Sequence, residues 1–380
     1  MPAEGPAQGG GAAPLLEVEG LRKTFGGVAA VDGVDLALAQ GELVALLGPS
    51  GCGKTTTLRI VAGLESPTGG RIRLGGREIA SAERQVPPEQ RGMGMVFQSY
   101  ALWPHLTIAQ NIGYALELRG DPPRSIAARV AELLAFVEMS GLQARFPAEL
   151  SGGQQQRIAV ARSLAANPSI VLFDEPLSNL DAKLRESMRF ELRRVHREVG
   201  LTGLYVTHSQ EEAFALGDRV AVMRDGRIEQ IAPPEALYTT PRTEFVARFV
   251  GLANILHGVH EASGGAGAAV LRLDRGAVIR ATARTAVTRG EQAVVMVRPE
   301  HLRLQVAPPW TRAPGENLLE GQLTDIVFSG AFHDCFVQCG PERLRIQVPG
   351  GVHLAPGASV AVAFAAHDAV VLDPTPASAR

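Results

Sequence analysis

ELVALLGPSGCGKTTTLRIVAGL, residues 42–64, joins an apolar run, a glycine-rich turn and an amphipathic stretch without a break. ELVALLG reads as a buried strand and TTTLRIVAGL as the helix it feeds. Between them GPSGCGKTT (48–56) has the spacing G-x-x-x-x-G-K-[ST], with Gly48, Gly53, Lys54 and Thr55 in the fixed places. Such a loop curls so that backbone N–H groups point inward at phosphate oxygens, and the helix N-terminus adds its positive end. Gly48, Pro49, Ser50, Gly51, Cys52, Gly53, Lys54, Thr55 and Thr56 are therefore the candidate nucleotide cradle. Lys54 brings a point charge to the β- and γ-phosphates of a nucleotide, and the Thr55 hydroxyl is a candidate Mg²⁺ ligand.

The same alternation continues outward. SIVLFDEP (169–176) and TGLYVTHS (202–209) are further apolar runs, each leading into helical sequence. Continuous apolar strands between helices predict a largely parallel sheet covered on both faces, so the fold class is α/β. Asp174 stands where a strand ends and is placed to hold Mg²⁺ directly or through water; Glu175 beside it is suited to orient and polarise an attacking water. LSGGQ (150–154) sets Ser151, Gly152 and Gly153 before the helical QQQRIAVARSLAA, which predicts a second helix N-terminus for an anion.

Composition bounds the rest. At 380 residues the chain predicts two or three domains, and 46% hydrophobic residues can build real cores. Lys+Arg 37 against Asp+Glu 39 leaves a formal net charge of −2, which gives no support to a nucleic-acid partner. Three cysteines, at 52, 335 and 339, cannot form a disulfide framework, so a reducing compartment is expected. Residues 1–14, MPAEGPAQGGGAAP, read as a flexible leader without the basic start and apolar core of a secretory signal. No stretch approaches the ~18 apolar residues of a spanning helix, so action at a membrane is expected from outside the bilayer.

A phosphate loop alone says only that a nucleotide binds; the motifs after it decide. Over roughly residues 15–250 the sequence resembles the ATP-binding-cassette (ABC) family. The family's motifs stand in order: the phosphate loop at 48–56, a Q-loop glutamine at Gln98, the signature at 150–154, the Asp174–Glu175 pair, the D-loop SNLD at 178–181 and the switch histidine His208. The resemblance implies a P-loop NTPase domain with a helical subdomain, hydrolysing ATP with Mg²⁺. It makes Glu175, Gln98 and His208 catalytic, converging on the γ-phosphate, and adds Gln98 to Thr55 and Asp174 as a metal ligand. Phe25 in KTFGG stands where an aromatic ring stacks on adenine, a buried core aromatic being the other reading. Ser151, Gly152, Gly153, Gln154 and Asp181 are implied to contact the ATP of a second copy, so that a homodimer sandwiches two nucleotides. The segment between Gln98 and Leu150 is implied to receive a short helix from a membrane subunit, with Leu102, Trp103 and Pro104 either docking there or packing internally.

After Pro241 the texture changes. AVVMVRPEHLRL (293–304), GQLTDIVFSG (321–330), ERLRIQVPG (342–350) and ASVAVAFAAHDAVVL (358–372) are short alternating strands between Gly/Pro turns, predicting a small β-barrel or sandwich. The expected division is a leader over 1–14, an ATP-binding domain over 15–250 and an all-β domain over 251–380. VRPEHLRL and GQLTDIVFSG resemble the oligonucleotide-fold-like (TOBE) extension of importer ATPases, implying dimer contacts and regulation. Cys335 and Cys339, with His333 nearby, are too few ligands for a metal site and are expected to be structural.

The resemblance therefore implies the ATPase subunit of an importer, peripheral on the cytoplasmic face of the membrane. It would pair with two transmembrane permease subunits and, through them, a substrate-binding protein. VPPEQRGMGMVFQSYALWPHLTI (86–108) is similar to ATPases serving ferric iron, polyamine, phosphonate or thiamine uptake. Sugar-importer ATPases and split exporters are the alternatives. A soluble repair ATPase of this family needs a long coiled coil, and no long heptad run occurs. A kinase leaves LSGGQ and His208 unexplained.

Overall fold

A computed structural model describes residues 13–374, apart from 264, 275, 307 and 351–354. Most of the leader expected over residues 1–14 lies outside the described residues. The chain divides into two compact units between Glu235 and Ala236.

In the first unit, β1 (Leu16–Phe25) and β2 (Val28–Leu38) form a hairpin, and β3 (Leu43–Leu47) runs through the glycine-rich loop into α1 (Lys54–Ala62). A second hairpin, β4 (Gly69–Leu74) and β5 (Arg77–Ser81), completes a four-stranded antiparallel sheet in the order β2-β1-β4-β5. β6 (Met93–Val96) is followed by α2 (Ile108–Arg119), α3 (Pro123–Phe136) and α4 (Gly152–Leu164). Then come β7 (Ile170–Asp174), α5 (Ala182–Val199), β8 (Gly203–Thr207), α6 (Gln210–Leu216), β9 (Arg219–Arg224) and β10 (Arg227–Ala232). The central sheet has the order β10-β9-β3-β8-β7-β6, parallel from β9 to β6, with β10 antiparallel at one edge.

All five residues of β3, β7 and β8 are buried, as the unbroken apolar runs require. Leu46, Leu58, Ile60, Leu172, Leu204 and Val206 belong to one core that cements α1 to the sheet. Burying one such side chain stabilises by about 1.5–3 kcal/mol, so the strand ends that carry the motifs are held by a rigid platform. The helices have local reasons to start where they do. Thr107 closes a capping box with Gln110 on α2, and Pro123 occupies the first turn of α3, where its missing N–H costs nothing. The helix expected to follow Gly153 begins earlier. Ser151 is its N-cap, bonded reciprocally with Gln154, so Gly152 and Gly153 form the first turn of α4 rather than preceding it.

The second unit takes in α8 (Glu244–Phe249) and most of α7 (Pro234–Thr239). Its strands are β11 (Asn254–His260), β12 (Ala269–Leu273), β13 (Val278–Ala281), β14 (Gln292–Val297) and β15 (Arg303–Gln305), then β16 (Glu316–Phe328), β17 (Phe332–Cys339), β18 (Glu342–Pro349), β19 (Ser359–Ala365) and β20 (Val370–Leu372). They form two five-stranded sheets, β13-β12-β11-β14-β20 and β15-β19-β16-β17-β18, around a shared core that includes Leu271, Val295, Val337 and Phe364. The texture of the sequence thus folds as the all-β domain it predicted. The division between the units falls before Pro241, where the texture changes, and earlier than the boundary expected at 250; Arg298 explains why. Its guanidinium, 1% exposed, donates to the carbonyls of Tyr238, Ala247 and Leu252. The arginine of VRPE therefore ties the two short helices to the β-sheets.

Candidate functional site

Parallel register brings the motifs to one edge. Leu47 pairs with Thr207, Asp174 with Val206 and Val96 with Phe173, so β3, β8, β7 and β6 end side by side at their carboxyl ends. The chain leaving them carries the phosphate loop, His208, Glu175 and Gln98 respectively. A ligand crevice in an open α/β sheet forms at this edge.

The loop needs its glycines for two physical reasons. Gly53 has φ 100°, and a Cβ there would meet the Ala30 carbonyl oxygen at 2.3 Å. At Gly48 a Cβ would lie 2.4 Å from the Met223 carbonyl oxygen. The loop is thus pressed against β2 and the β9–β10 hairpin, with Gly226 N donating to Cys52 O at 3.2 Å. Lys54, 5% exposed, folds back so that Nζ donates to the carbonyls of Gly48 (2.7 Å) and Pro49 (2.9 Å). Cys52 is buried beside it with Sγ 3.7 Å from Nζ, and burial pushes its thiol up despite that cation.

Asp174 is buried at the end of β7, and burial pushes its carboxyl above the ordinary value, partly offset by the charge of Arg59 and a hydrogen bond from Thr55. A hydroxyl and a desolvated carboxylate are the hard oxygen donors that Mg²⁺ selects, so these residues fit the metal. Glu175 follows with φ 45°, left-handed for a residue with a side chain. Its backbone is held by N–H donation to Val206 O (3.1 Å) and by the Ser178 hydroxyl donating to its carbonyl (2.9 Å). The turn aims the carboxylate at His208, whose Nδ1 lies 3.0 Å from Oε2. Gln98 is exposed, and its carbonyl accepts from the side chain of Asn179 at 2.9 Å.

Phe25 is 48% exposed, which removes the core reading of that ring; Lys23 Nζ stands 4.8 Å from its centre. Asp181 caps α5 by accepting from Leu184 N. Leu102 and Trp103 are half-buried and Pro104 is exposed, with Trp103 tilted against Tyr114 at 4.5 Å between centroids. Cys335 and Cys339 are buried, and burial pushes the Cys339 thiol up to about 12. Among the described residues no group of three or more His, Cys, Asp or Glu is arranged for a metal ion in the way a zinc site would need.

Three supporting residues were not singled out by sequence reasoning. Asn179 lies inside SNLD and bridges to Gln98. Glu212, 3% exposed, accepts from Tyr205 and Thr207 and so braces the strand end before His208. Its signal was the spacing Ser209-x-x-Glu212, a capping pattern. Arg162 of α4 reaches back to the carbonyls of Tyr100 and Ala101, a contact no local pattern announces.

Two family models match the chain: the ABC transporter model over residues 31–178 and the TOBE domain model over residues 295–372. A spermidine/putrescine import ATP-binding protein, PotA, of Thermobifida fusca is 44% identical over 325 residues, covering 84% of this chain and 82% of that relative. The protein of the same name from Rubrobacter xylanophilus is 42% identical over 366 residues, covering 94% and 93%. Among solved structures, a dimeric ATP-binding cassette in a post-hydrolysis state with ADP and Pi matches with a TM-score of 0.51 at 32% identity, over 58% of this chain and 98% of that one.

Proposed function

Because the chain belongs to the ABC transporter family, as an importer-type ATPase with a C-terminal TOBE domain, we propose that it drives polyamine uptake through separate membrane subunits. The observation that carries the cargo is that relatives named for spermidine/putrescine import align over nearly the whole length, both units included. Of the cargoes weighed from the sequence, this favours the polyamine over ferric iron, phosphonate, thiamine or sugar.

In the proposed mechanism Phe25 offers its open face to adenine, where stacking is worth about 1–3 kcal/mol. Lys54 leaves the carbonyls of Gly48 and Pro49 for the β- and γ-phosphates, and the N–H groups of the loop take the phosphate oxygens. Thr55, Asp174 and Gln98 would hold Mg²⁺, which would neutralise charge developing on those oxygens. Glu175 orients the attacking water and accepts its proton, with His208 fixing the carboxylate. Ser151, Gly152, Gly153, Gln154 and Asp181 face the ATP of a second copy, so that binding closes a homodimer and hydrolysis reopens it. ATP work belongs to residues 15–250, and residues 251–380 serve dimer contacts and regulation. The assembly sits on the cytoplasmic face of the membrane, and among the described residues no helix is long and apolar enough to cross it.

The test is reconstitution in vesicles with the membrane subunits and a binding protein, following ATP turnover and solute uptake together. Spermidine or putrescine is expected to raise turnover and to accumulate in step with it. Turnover that responds only to a sugar or ferric iron would overturn the polyamine reading. Turnover indifferent to any membrane partner would overturn the role in transport.

A further inference from the structure

We propose that Arg162 is a positioning residue for hydrolysis, clasping the strained turn after Gln98 and so setting where the Gln98 side chain stands. This rests on the reading of Gln98 as a γ-phosphate sensor. Tyr100 and Ala101 are consecutive left-handed residues, at φ 61° and 49°. Non-glycine residues keep such backbones only where their surroundings hold them. Beside the backbone bond from Tyr100 N to Phe97 O (2.9 Å), the side chain that grips the turn is Arg162, whose Nη2 donates to Tyr100 O at 2.8 Å and Nη1 to Ala101 O at 2.5 Å. The same group lies 5.1 Å from the centre of the Trp103 ring, so the turn is gripped along three residues. Arginine is the side chain whose planar fork can bind two neighbouring carbonyls at once; lysine offers a single point.

The position of Arg162 gives the clasp its consequence. It projects from α4, whose first turn is the signature, while the other end of the same segment is pinned by Asn179 of the D-loop through Gln98 O. Gln98 therefore hangs between a residue that follows β7 and a residue of the signature helix. Among the described residues the buried Tyr100 hydroxyl has no hydrogen-bond partner. A Cβ on Gly152 would sit 3.9 Å from that hydroxyl. The Tyr100 side chain thus adds no hydrogen bond of its own to the clasp, which leaves the Arg162 fork as the side-chain grip on these two carbonyls.

A double-mutant cycle on the full-length chain tests this. Arg162→Lys keeps the charge and loses the fork. Ala101→Val attacks the same turn from an exposed position, since a β-branched residue resists positive φ, and so stands even where the Arg162 variant misfolds. Each is compared alone and combined with Gln98→Ala, reading kcat and KM for ATP, nucleotide affinity by calorimetry and the melting temperature. Each variant is expected to lower kcat by about 2- to 30-fold with ATP affinity preserved, and to add little once Gln98→Ala is present. If Gln98→Ala leaves kcat unchanged, the sensor reading falls and the clasp with it. If Gln98→Ala slows turnover, the clasp alone is overturned when Ala101→Val matches wild type. It is equally overturned when the two variants slow turnover by the same factor with and without Gln98.

Discussion

At the residue scale, the catalytic edge combines two carboxylates in opposite circumstances. Glu175 is turned toward His208 by a left-handed backbone, whereas Asp174 before it is buried. Glu175→Gln keeps the shape and removes the base. ATP affinity should survive while steady-state turnover falls by about 10²–10⁴-fold, and near-wild-type turnover would remove Glu175 from its role. Lys54→Ala should abolish binding in a calorimetric titration, because the loop then lacks the cation that meets the β- and γ-phosphates. Asp174 gives a pH-dependent expectation. Burial raises its pKa, so the folded state binds the proton more tightly than the unfolded chain, and the ionised carboxylate costs stability above the raised value. Asp174→Asn should therefore melt higher than wild type without nucleotide at neutral pH. The gap should close as pH falls below the ordinary value of 3.8, where the wild-type group is protonated in both states. The same variant should lose Mg²⁺-dependent turnover. An Asn variant less stable across the whole range would contradict this.

At the element scale, α4 shows one side chain performing a structural task while facing a proposed ligand. Ser151 caps the helix, and its N–H is taken by Gln154. Asp caps helices as well as Ser but repels phosphate, so Ser151→Asp separates the two tasks. The melting temperature should hold within experimental scatter while ATP turnover collapses; a variant that loses both equally would make the serine only a cap. What was legible in the sequence follows the same division. β3, β7 and β8 were readable because strands buried on both faces must be apolar throughout, and the phosphate loop because its spacing is local. The start of α4 was misplaced by two residues because a glycine pair reads as a loop until its cap is recognised. The contacts of Arg162 with Tyr100 and Ala101 span about sixty residues and leave no periodic trace.

At the scale of the whole molecule, the β-domain was legible as texture, but its hold on α7 and α8 was not. Arg298 looks like an ordinary charged residue in a strand-like run, and only the fold reveals it as a buried donor to three carbonyls. Arg298→Met keeps much of the volume and orphans those carbonyls. It should destabilise the second unit by about 1–3 kcal/mol for each acceptor left unpaired and so lower its melting temperature, with turnover by the ATP-binding unit retained. The proposed dimer is the other matter at this scale, since each chain carries one phosphate loop and one signature. The decisive measurement is the solution mass of Glu175→Gln by light scattering, with and without saturating Mg²⁺ and ATP. Nucleotide should carry the particle from one chain of 40.2 kDa to two, and adding Ser151→Asp should block that step. A mass that stays at one chain with ATP bound would contradict the shared-nucleotide dimer on which the proposed transport cycle rests.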